Sequence, residues 1–163
     1  MTRFTLAVSA AALIALNIGP AMAKSDKGFV ADAIKGDTSE ISLGQLALTK
    51  GGAAGVKSFA QTLIDDHTTA KTQASSVAQT LSVASPSGLT PEAEKEIVRL
   101  QKLSGDAFDK EFVRYMVEDH EKDVTEFIQE AASGASPTKE LAAQTLPTLE
   151  KHLQMAKALR MEK

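Results

Sequence analysis

Apolar residues recur at intervals of three and four along most of the chain from Lys24 onward, with polar residues between them. This spacing is that of one face of an α-helix, and no stretch alternates with the period of two that a half-buried strand requires. Ala, Leu, Lys, Glu and Gln, which favour helices, dominate the same region. The sequence therefore predicts an all-α protein.

Turn and capping residues divide this pattern into four long helices and one short helix. The predicted long helices cover about 26–49, 53–81, 105–132 and 137 to the C-terminal region, and the short helix covers about 91–103. The inward faces of the first and third long helices are predicted to include Leu48 and Ile128. Pro147 lies inside the last long helix, where it is expected to bend the helix or restart it near Leu146.

Four amphipathic helices of similar length can bury their apolar faces together in a four-helix bundle. About 20 residues separate the second long helix from the third, whereas a hairpin between neighbouring helices needs only about 2 to 8. A short helix of about 13 residues rises about 20 Å, which is enough to return along the bundle. We therefore predict a ferritin-like four-helix bundle with a short crossover helix between the second and third long helices, which makes those two helices parallel.

The first 23 residues have the form of a cleaved signal peptide. Arg3 is followed by an apolar stretch from Phe4 to Ile18, and Ala21-Met22-Ala23 provides small residues for cleavage after Ala23. The apolar stretch is shorter than the roughly 20 residues needed to cross a bilayer. Residues 24–163 are therefore predicted to form a single helical domain that is periplasmic or secreted, with no transmembrane span after cleavage.

Composition removes several functional classes. The chain has 18 Lys and Arg against 21 Asp and Glu, a net charge of −3 that provides no field for collecting phosphates, so no nucleic-acid partner is expected. It contains no Cys, which excludes disulfides, thiolate zinc sites, iron–sulfur clusters and a cysteine nucleophile. Any chemistry must use histidine, carboxylate or hydroxyl groups.

Each long helix places one potential metal ligand on its apolar face. His67, His120 and His152 lie on the second, third and fourth long helices, and Glu40 lies on the first. Counting about 1.5 Å of rise per residue places the histidines at similar heights, with Glu40 offset by about 6 Å. We predict that these four residues form a metal site, with a divalent transition metal such as zinc, copper, nickel or iron as the cofactor. Asp37 and Asp123 are expected to hydrogen-bond the imidazole nitrogens.

The sequence also resembles the exported bacterial family of domain of unknown function 4142 (DUF4142) over nearly all of residues 24–163. The resemblance implies a ferritin-like four-helix bundle in the periplasm or envelope and no settled activity. It depends on a set of short motifs, namely Phe29 with Glu40, Leu43-Gly44-Gln45-Leu46-Ala47, Val56-Lys57-Ser58-Phe59-Ala60, Asp65-Asp66-His67, Phe108-Asp109, Tyr115-Met116 with His120, and Leu146-Pro147-Thr148-Leu149 with His152-Leu153.

The pattern departs from the di-iron members of the ferritin-like group, which carry Glu-x-x-His on two helices. Ile64, Val117 and Leu149 occupy the position three residues before each histidine, so a di-iron carboxylate centre is not expected. The sequence thus favours an exported bundle that binds a transition metal in envelope stress or metal handling. The alternative is a non-enzymatic interaction module with an envelope protein partner or a homo-oligomeric state, in which the histidines and Glu40 form only a hydrogen-bonded core layer. Whether the protein catalyses a reaction stays open at this point.

Overall fold

The computed structural model of the protein describes residues 24–161, so the signal peptide predicted at residues 1–23 lies outside the described residues. This part of the chain forms five α-helices and no β-strand, which confirms the predicted all-α class. The helices are α1 (Asp26–Lys50), α2 (Ala54–Thr80), α3 (Pro91–Leu100), α4 (Gly105–Ser133) and α5 (Thr138–Met161).

The starts of α1 and α3 are capped by the side chains of Ser25 and Thr90. The side chain of Thr90 accepts a hydrogen bond from the N–H of Ala93, and Pro91 opens α3 where its missing N–H has no cost. α3 ends at Leu100, three residues earlier than predicted. α5 continues through Pro147 without the expected restart. Pro147 and Ala143, whose carbonyl loses its usual donor, are both exposed, so water can bond that carbonyl.

The helices pack as two hairpins, α1 with α2 and α4 with α5. The turn between α1 and α2 lies against the start of α4, where Asp109 accepts hydrogen bonds from the N–H groups of Gly52 at 3.0 Å and Ala53 at 2.8 Å. At the opposite end of the bundle the rings of Phe29 and Phe127 meet edge to face, with 4.9 Å between their centroids. Thus α2 and α4 begin at the same end and run parallel, as the crossover requires. This order is compatible with the ferritin-like topology.

Glycines allow two close approaches that hold the hairpins in place. A Cβ on Gly44 would lie 2.8 Å from Cγ1 of Ile64 and 2.9 Å from the carbonyl oxygen of Ala60, so α1 packs on α2 at backbone distance. A Cβ on Gly52 would lie 2.9 Å from the Cα of Gly105. The α1–α2 turn therefore reaches the start of α4 because Gly52 carries no side chain.

The core is divided into two apolar clusters with a polar layer between them. The larger cluster lies toward the α1–α2 turn and includes Leu43, Phe59, Leu63, Phe108, Phe112 and Met116. The smaller one lies toward the other end and includes Phe29, Val30, Ile34, Ala74 and Leu141. Along all four long helices the sequence passes from one cluster to the other through buried polar residues, which are Asp37, Ser39, Glu40, His67, His120, Thr145 and His152.

Two of the predicted inward positions are wrong. Leu48 is 37% exposed and Ile128 is 49% exposed. A face drawn in steps of three and four drifts from the true core side because the helix has about 3.6 residues per turn. On α1 the buried positions near Leu48 are instead Leu43 and Ala47.

Candidate metal centre

The polar layer brings three imidazoles together from three helices. His67 on α2, His120 on α4 and His152 on α5 are all buried. Their ring centroids are 5.9 Å apart for His67 and His120, 5.2 Å for His67 and His152, and 5.4 Å for His120 and His152. Each histidine has one ring nitrogen in a group of three, and these three nitrogens all lie within 4.8 Å of one another. These three nitrogens are the geometric basis of a candidate metal centre.

The tautomer of His120 is set by the helix backbone. Its Nδ1 lies 3.0 Å from the carbonyl oxygen of Met116, one turn earlier on α4. A carbonyl oxygen only accepts hydrogen bonds, so Nδ1 carries the hydrogen and Nε2 of the neutral ring carries a lone pair. Burial, reinforced by the neighbouring His67 and His152, lowers the pKa of His120 to about 3. The ring is therefore neutral at ordinary pH, with Nε2 free to accept a proton or a metal.

His152 presents its lone pair to the same place. Its Nε2 donates to the carboxylate of Asp66 at 2.9 Å, and Lys151 lies 3.7 Å from the same carboxylate oxygen. The lone pair of His152 is therefore on Nδ1, which lies 3.4 Å from Nε2 of His120. Burial lowers the pKa of His152 to about 4, although Asp66 opposes that shift. Two unprotonated nitrogens thus face each other inside the bundle.

His67 contributes the third imidazole through a pairing with Asp37. Its Nδ1 lies 2.9 Å from Oδ1 of Asp37, which is the contact expected from the sequence. Burial raises the pKa of Asp37 to about 8 and lowers that of His67 to about 4, so near neutral pH the proton of this pair lies on the carboxyl group. Nε2 of His67 is buried and has no hydrogen-bond partner. This nitrogen can join the other two only by losing the hydrogen that it carries when Asp37 donates to Nδ1.

Glu40 lies in the same layer but belongs to a different group of ligand atoms. It is 1% exposed, and a carboxylate oxygen of Glu40 lies within 4.8 Å of both an oxygen of Asp119 and a nitrogen of His120. Burial raises the pKa of Glu40 well above its usual range, and the nearby carboxylates of Asp119, Asp123 and Asp37 raise it further. The four residues predicted to form one site therefore fall into two neighbouring sets that share His120.

The sequence did not single out Asp66 or Asp119. Each directly precedes a histidine, and adjacent residues of a helix point about 100° apart, so a face drawn through the histidines misses both. Asp123 was expected to bond an imidazole nitrogen, but in the described chain the rings instead pair with Asp37, the Met116 carbonyl and Asp66. Asp123 lies instead beside Asp119, and burial raises its pKa well above the usual range.

A cleft connects this layer to solvent between α1, α4 and α5. Asp37, His67 and Asp119 are among the residues that line its inner part. Asp123 and Glu126 add carboxylates to its walls. Of the candidate ligands, His67 and Asp119 therefore border a cleft that is open to solvent.

Fold and site together define a helical bundle with a buried histidine and carboxylate layer. The chain belongs to the DUF4142 family, a domain of unknown function whose sequence model matches residues 12–159. No protein of curated function matches the sequence.

Solved structures with low sequence identity share the fold. A DUF305 fragment from Deinococcus radiodurans is similar with a TM-score of 0.75 and 16% identity, covering 85% of this chain and 96% of that one. CopM in its Cu(II)-bound form is similar with a TM-score of 0.72 and 17% identity, covering 86% of this chain and 99% of CopM. CopM in its Ag-bound form gives a TM-score of 0.68 and 17% identity, covering 85% and 97%.

Among the helices that the structure describes, none combines the length and apolar character needed to cross a membrane.

Proposed function

We propose that the protein is an exported metal-binding bundle that holds one transition-metal ion at His67, His120 and His152, in envelope stress or metal handling. The observation that carries this proposal is the distance of 3.4 Å between Nε2 of His120 and Nδ1 of His152, both of which present lone pairs. Lone pairs at this distance repel unless something positive lies between them. Two nitrogens bound at about 2.0–2.1 Å to one tetrahedral ion are separated by about 3.3–3.4 Å, which matches this spacing.

The surroundings of the three rings fit a resident ion. Metal-bound histidines usually donate their other N–H to a carboxylate or a backbone carbonyl, which fixes the ring orientation. Asp37, Met116 and Asp66 are placed to fill these roles. An ion held by the three imidazoles would supply Lewis acidity or, if it were copper or iron, a centre for electron transfer. The proposal is one of binding, and it assigns no reaction to the protein.

Copper is the first ion to test. Imidazole nitrogens suit copper, zinc, nickel and iron alike, so the ligand set alone does not choose among them. CopM, which shares the fold, has been solved with Cu(II) and with Ag. A chain without Cys offers no thiolate, so its histidines are the nitrogen or sulfur ligands best placed to hold such an ion.

The direct test is metal analysis of protein purified without an affinity tag, followed by thermal unfolding with and without copper, zinc, nickel or ferrous iron. We expect at least one ion to raise the unfolding midpoint of the wild type. His67→Ala, His120→Ala and His152→Ala should each remove most of that rise. Asp65→Asn, which changes an exposed residue on α2, serves as the control.

A second candidate function is an interaction module in which the layer is only structural. It is favoured by the protein partners that one nitrogen of each imidazole has. In that case no ion would raise the midpoint of the wild type. Each histidine variant would then cost about 1–3 kcal/mol of unfolding free energy whether or not metal is present.

A further inference from the structure

Glu40 is buried without any group to offset its charge. Both of its carboxylate oxygens are inaccessible to solvent and lack a hydrogen-bond donor. A buried polar group without a partner is costly, and a buried carboxylate is more so. Its position is set by α1, where Leu43 and Ala47 on the same face are packed in the larger apolar cluster. The side chain therefore cannot reach water without unpacking part of the helix.

The group nearest to Glu40 is another carboxylate. Oxygens of Glu40 and Asp119 lie within 4.8 Å of each other, close enough for both to bind one cation. Asp37 and Asp123 are two further acidic groups near Glu40, and each raises its pKa. Lys71 lowers the pKa of Asp37 and Lys122 lowers that of Asp123, but burial outweighs both and leaves each pKa raised. Either a proton or a cation must lie between two carboxylates held in this way.

His120 borders both this pair and the histidine cluster. Its Nδ1 hydrogen is used by the Met116 carbonyl, and its Nε2 faces His152. A neutral imidazole has a single lone pair, so it cannot serve two ions at once. A second ion beside Glu40 and Asp119 must therefore bind oxygen ligands. These are the carboxylates of Glu40 and Asp119 and water from the cleft that Asp119 lines.

We propose that Glu40 and Asp119 hold a second cation, of the hard class that prefers oxygen ligands, beside the histidine site and separate from it. Carboxylate and water ligands suit manganese, magnesium and calcium rather than the ions that imidazoles prefer. Glu40 thereby leaves the histidine set to which the sequence assigned it. The second site goes beyond the proposed function and does not require the histidine site to be filled.

Mn²⁺ is the probe for this site, because the electron paramagnetic resonance signal of the free ion is lost on binding. Purified protein, free of other metals, is titrated with Mn²⁺ as wild type, Glu40→Gln and Asp119→Asn. Glu130→Gln is the matched control. Glu130 is a buried glutamate, like Glu40, but it lies near the end of α4 and accepts a hydrogen bond from Thr138. A second control is His152→Gln, which alters only the histidine site. Circular dichroism and thermal unfolding confirm that each variant is folded.

We expect the wild type to bind one Mn²⁺ per chain. Glu40→Gln and Asp119→Asn should weaken this binding by more than about tenfold, while Glu130→Gln and His152→Gln leave it unchanged. Protein already loaded with Cu²⁺ should still bind Mn²⁺, and Glu40→Gln should still bind Cu²⁺.

Three results would overturn the second site. The first is no Mn²⁺ binding by the wild type, which means that Glu40 and Asp119 hold no cation. The second is Mn²⁺ binding that is indifferent to Glu40. The third is displacement of Mn²⁺ by Cu²⁺ one for one, with Glu40→Gln losing both ions, which means that the four residues form a single site. Loss of Cu²⁺ binding with Mn²⁺ binding intact would contradict the proposed function alone.

Discussion

Nε2 of His120 lies 3.4 Å from Nδ1 of His152, and the bonds made by the other nitrogen of each ring leave both of these atoms without a hydrogen. Two acceptors facing each other in a buried layer raise the free energy of the fold unless a cation, a proton or a water molecule comes between them. The stability of the bundle should therefore depend on whether a cation or a proton is bound between these two nitrogens.

Asp66 should control metal affinity by fixing the ring of His152. Asp66→Asn removes the carboxylate that accepts from Nε2, which frees the ring to turn or change tautomer. We expect copper affinity to fall by about 10- to 100-fold, as measured by direct titration. Asp65→Asn is the matched control, because Asp65 is the adjacent acid and accepts from Gln61 on the surface of the same helix. Equal losses in the two variants would contradict a role for Asp66 in the site.

Metal binding should release a proton from the Asp37–His67 pair. Burial raises the pKa of Asp37 to about 8, so at pH 7 the carboxyl is protonated and Nε2 of His67 carries a hydrogen. A metal at Nε2 displaces that hydrogen, and Asp37 becomes the acceptor of Nδ1–H. Calorimetric titration in two buffers of different ionisation enthalpy measures the release. It should decline above pH 8 in the wild type, and Asp37→Asn should lack it.

The buried imidazoles should make the metal-free protein sensitive to acid. The pKa of His152 is about 6.5 in the unfolded chain and is lowered by burial to about 4 in the folded one. Its contribution to stability is therefore complete above pH 6.5 and is lost as the pH falls toward 4, because only the unfolded chain takes up the proton. The advantage of wild type over His152→Gln in urea unfolding should shrink by at most about 1.4 kcal/mol per pH unit. An advantage that stays constant over this interval would contradict the burial of a neutral ring.

Gly44 should tolerate no side chain. Gly44→Ala places a Cβ 2.9 Å from the carbonyl oxygen of Ala60 and 2.8 Å from Ile64, so α1 and α2 must separate. We expect a loss of about 1–3 kcal/mol in unfolding free energy. Gly36→Ala on the same helix is the control, because its Cβ would meet nothing within 4 Å. That change should stabilise the protein by about 0.5–1 kcal/mol, since alanine favours the helix. Similar effects of the two changes would contradict the close helix packing.

Much of the fold could be predicted from the sequence because its local signals agree with one another. Periodicity, Thr90-Pro91 and the long segment between the second and third long helices indicate the same bundle, and the structure has each of these features. The errors at Leu48 and Ile128 occur where the core side of a helix is defined by neighbours distant in sequence. Periodicity gives a face but not the exact direction in which the rest of the bundle lies.

The candidate site was only partly accessible from the sequence. Counting residues placed the histidines at one height, and the structure brings their rings together. Counting residues did not show that Glu40 belongs to a different set of ligand atoms. An axial offset of about 6 Å gives the height of a residue along the bundle but not its neighbours across it. Asp66 and Asp119 were missed because contacts across helices depend on crossing geometry, which residue spacing along one helix does not contain.

The bonds from Asp109 to the α1–α2 turn give α2 and α4 a common origin. Measured from that origin, the number of residues before His67 and before His120 decides whether the rings are level. One residue inserted between Asp109 and His120 would move that imidazole by about 1.5 Å along the axis and turn it by about 100°. The segment from the α1–α2 turn to His67 and the segment from Asp109 to His120 must therefore keep matching lengths. A lineage of such proteins can vary its surface freely, whereas insertions and deletions on the near side of the histidines would be tolerated only in compensating steps.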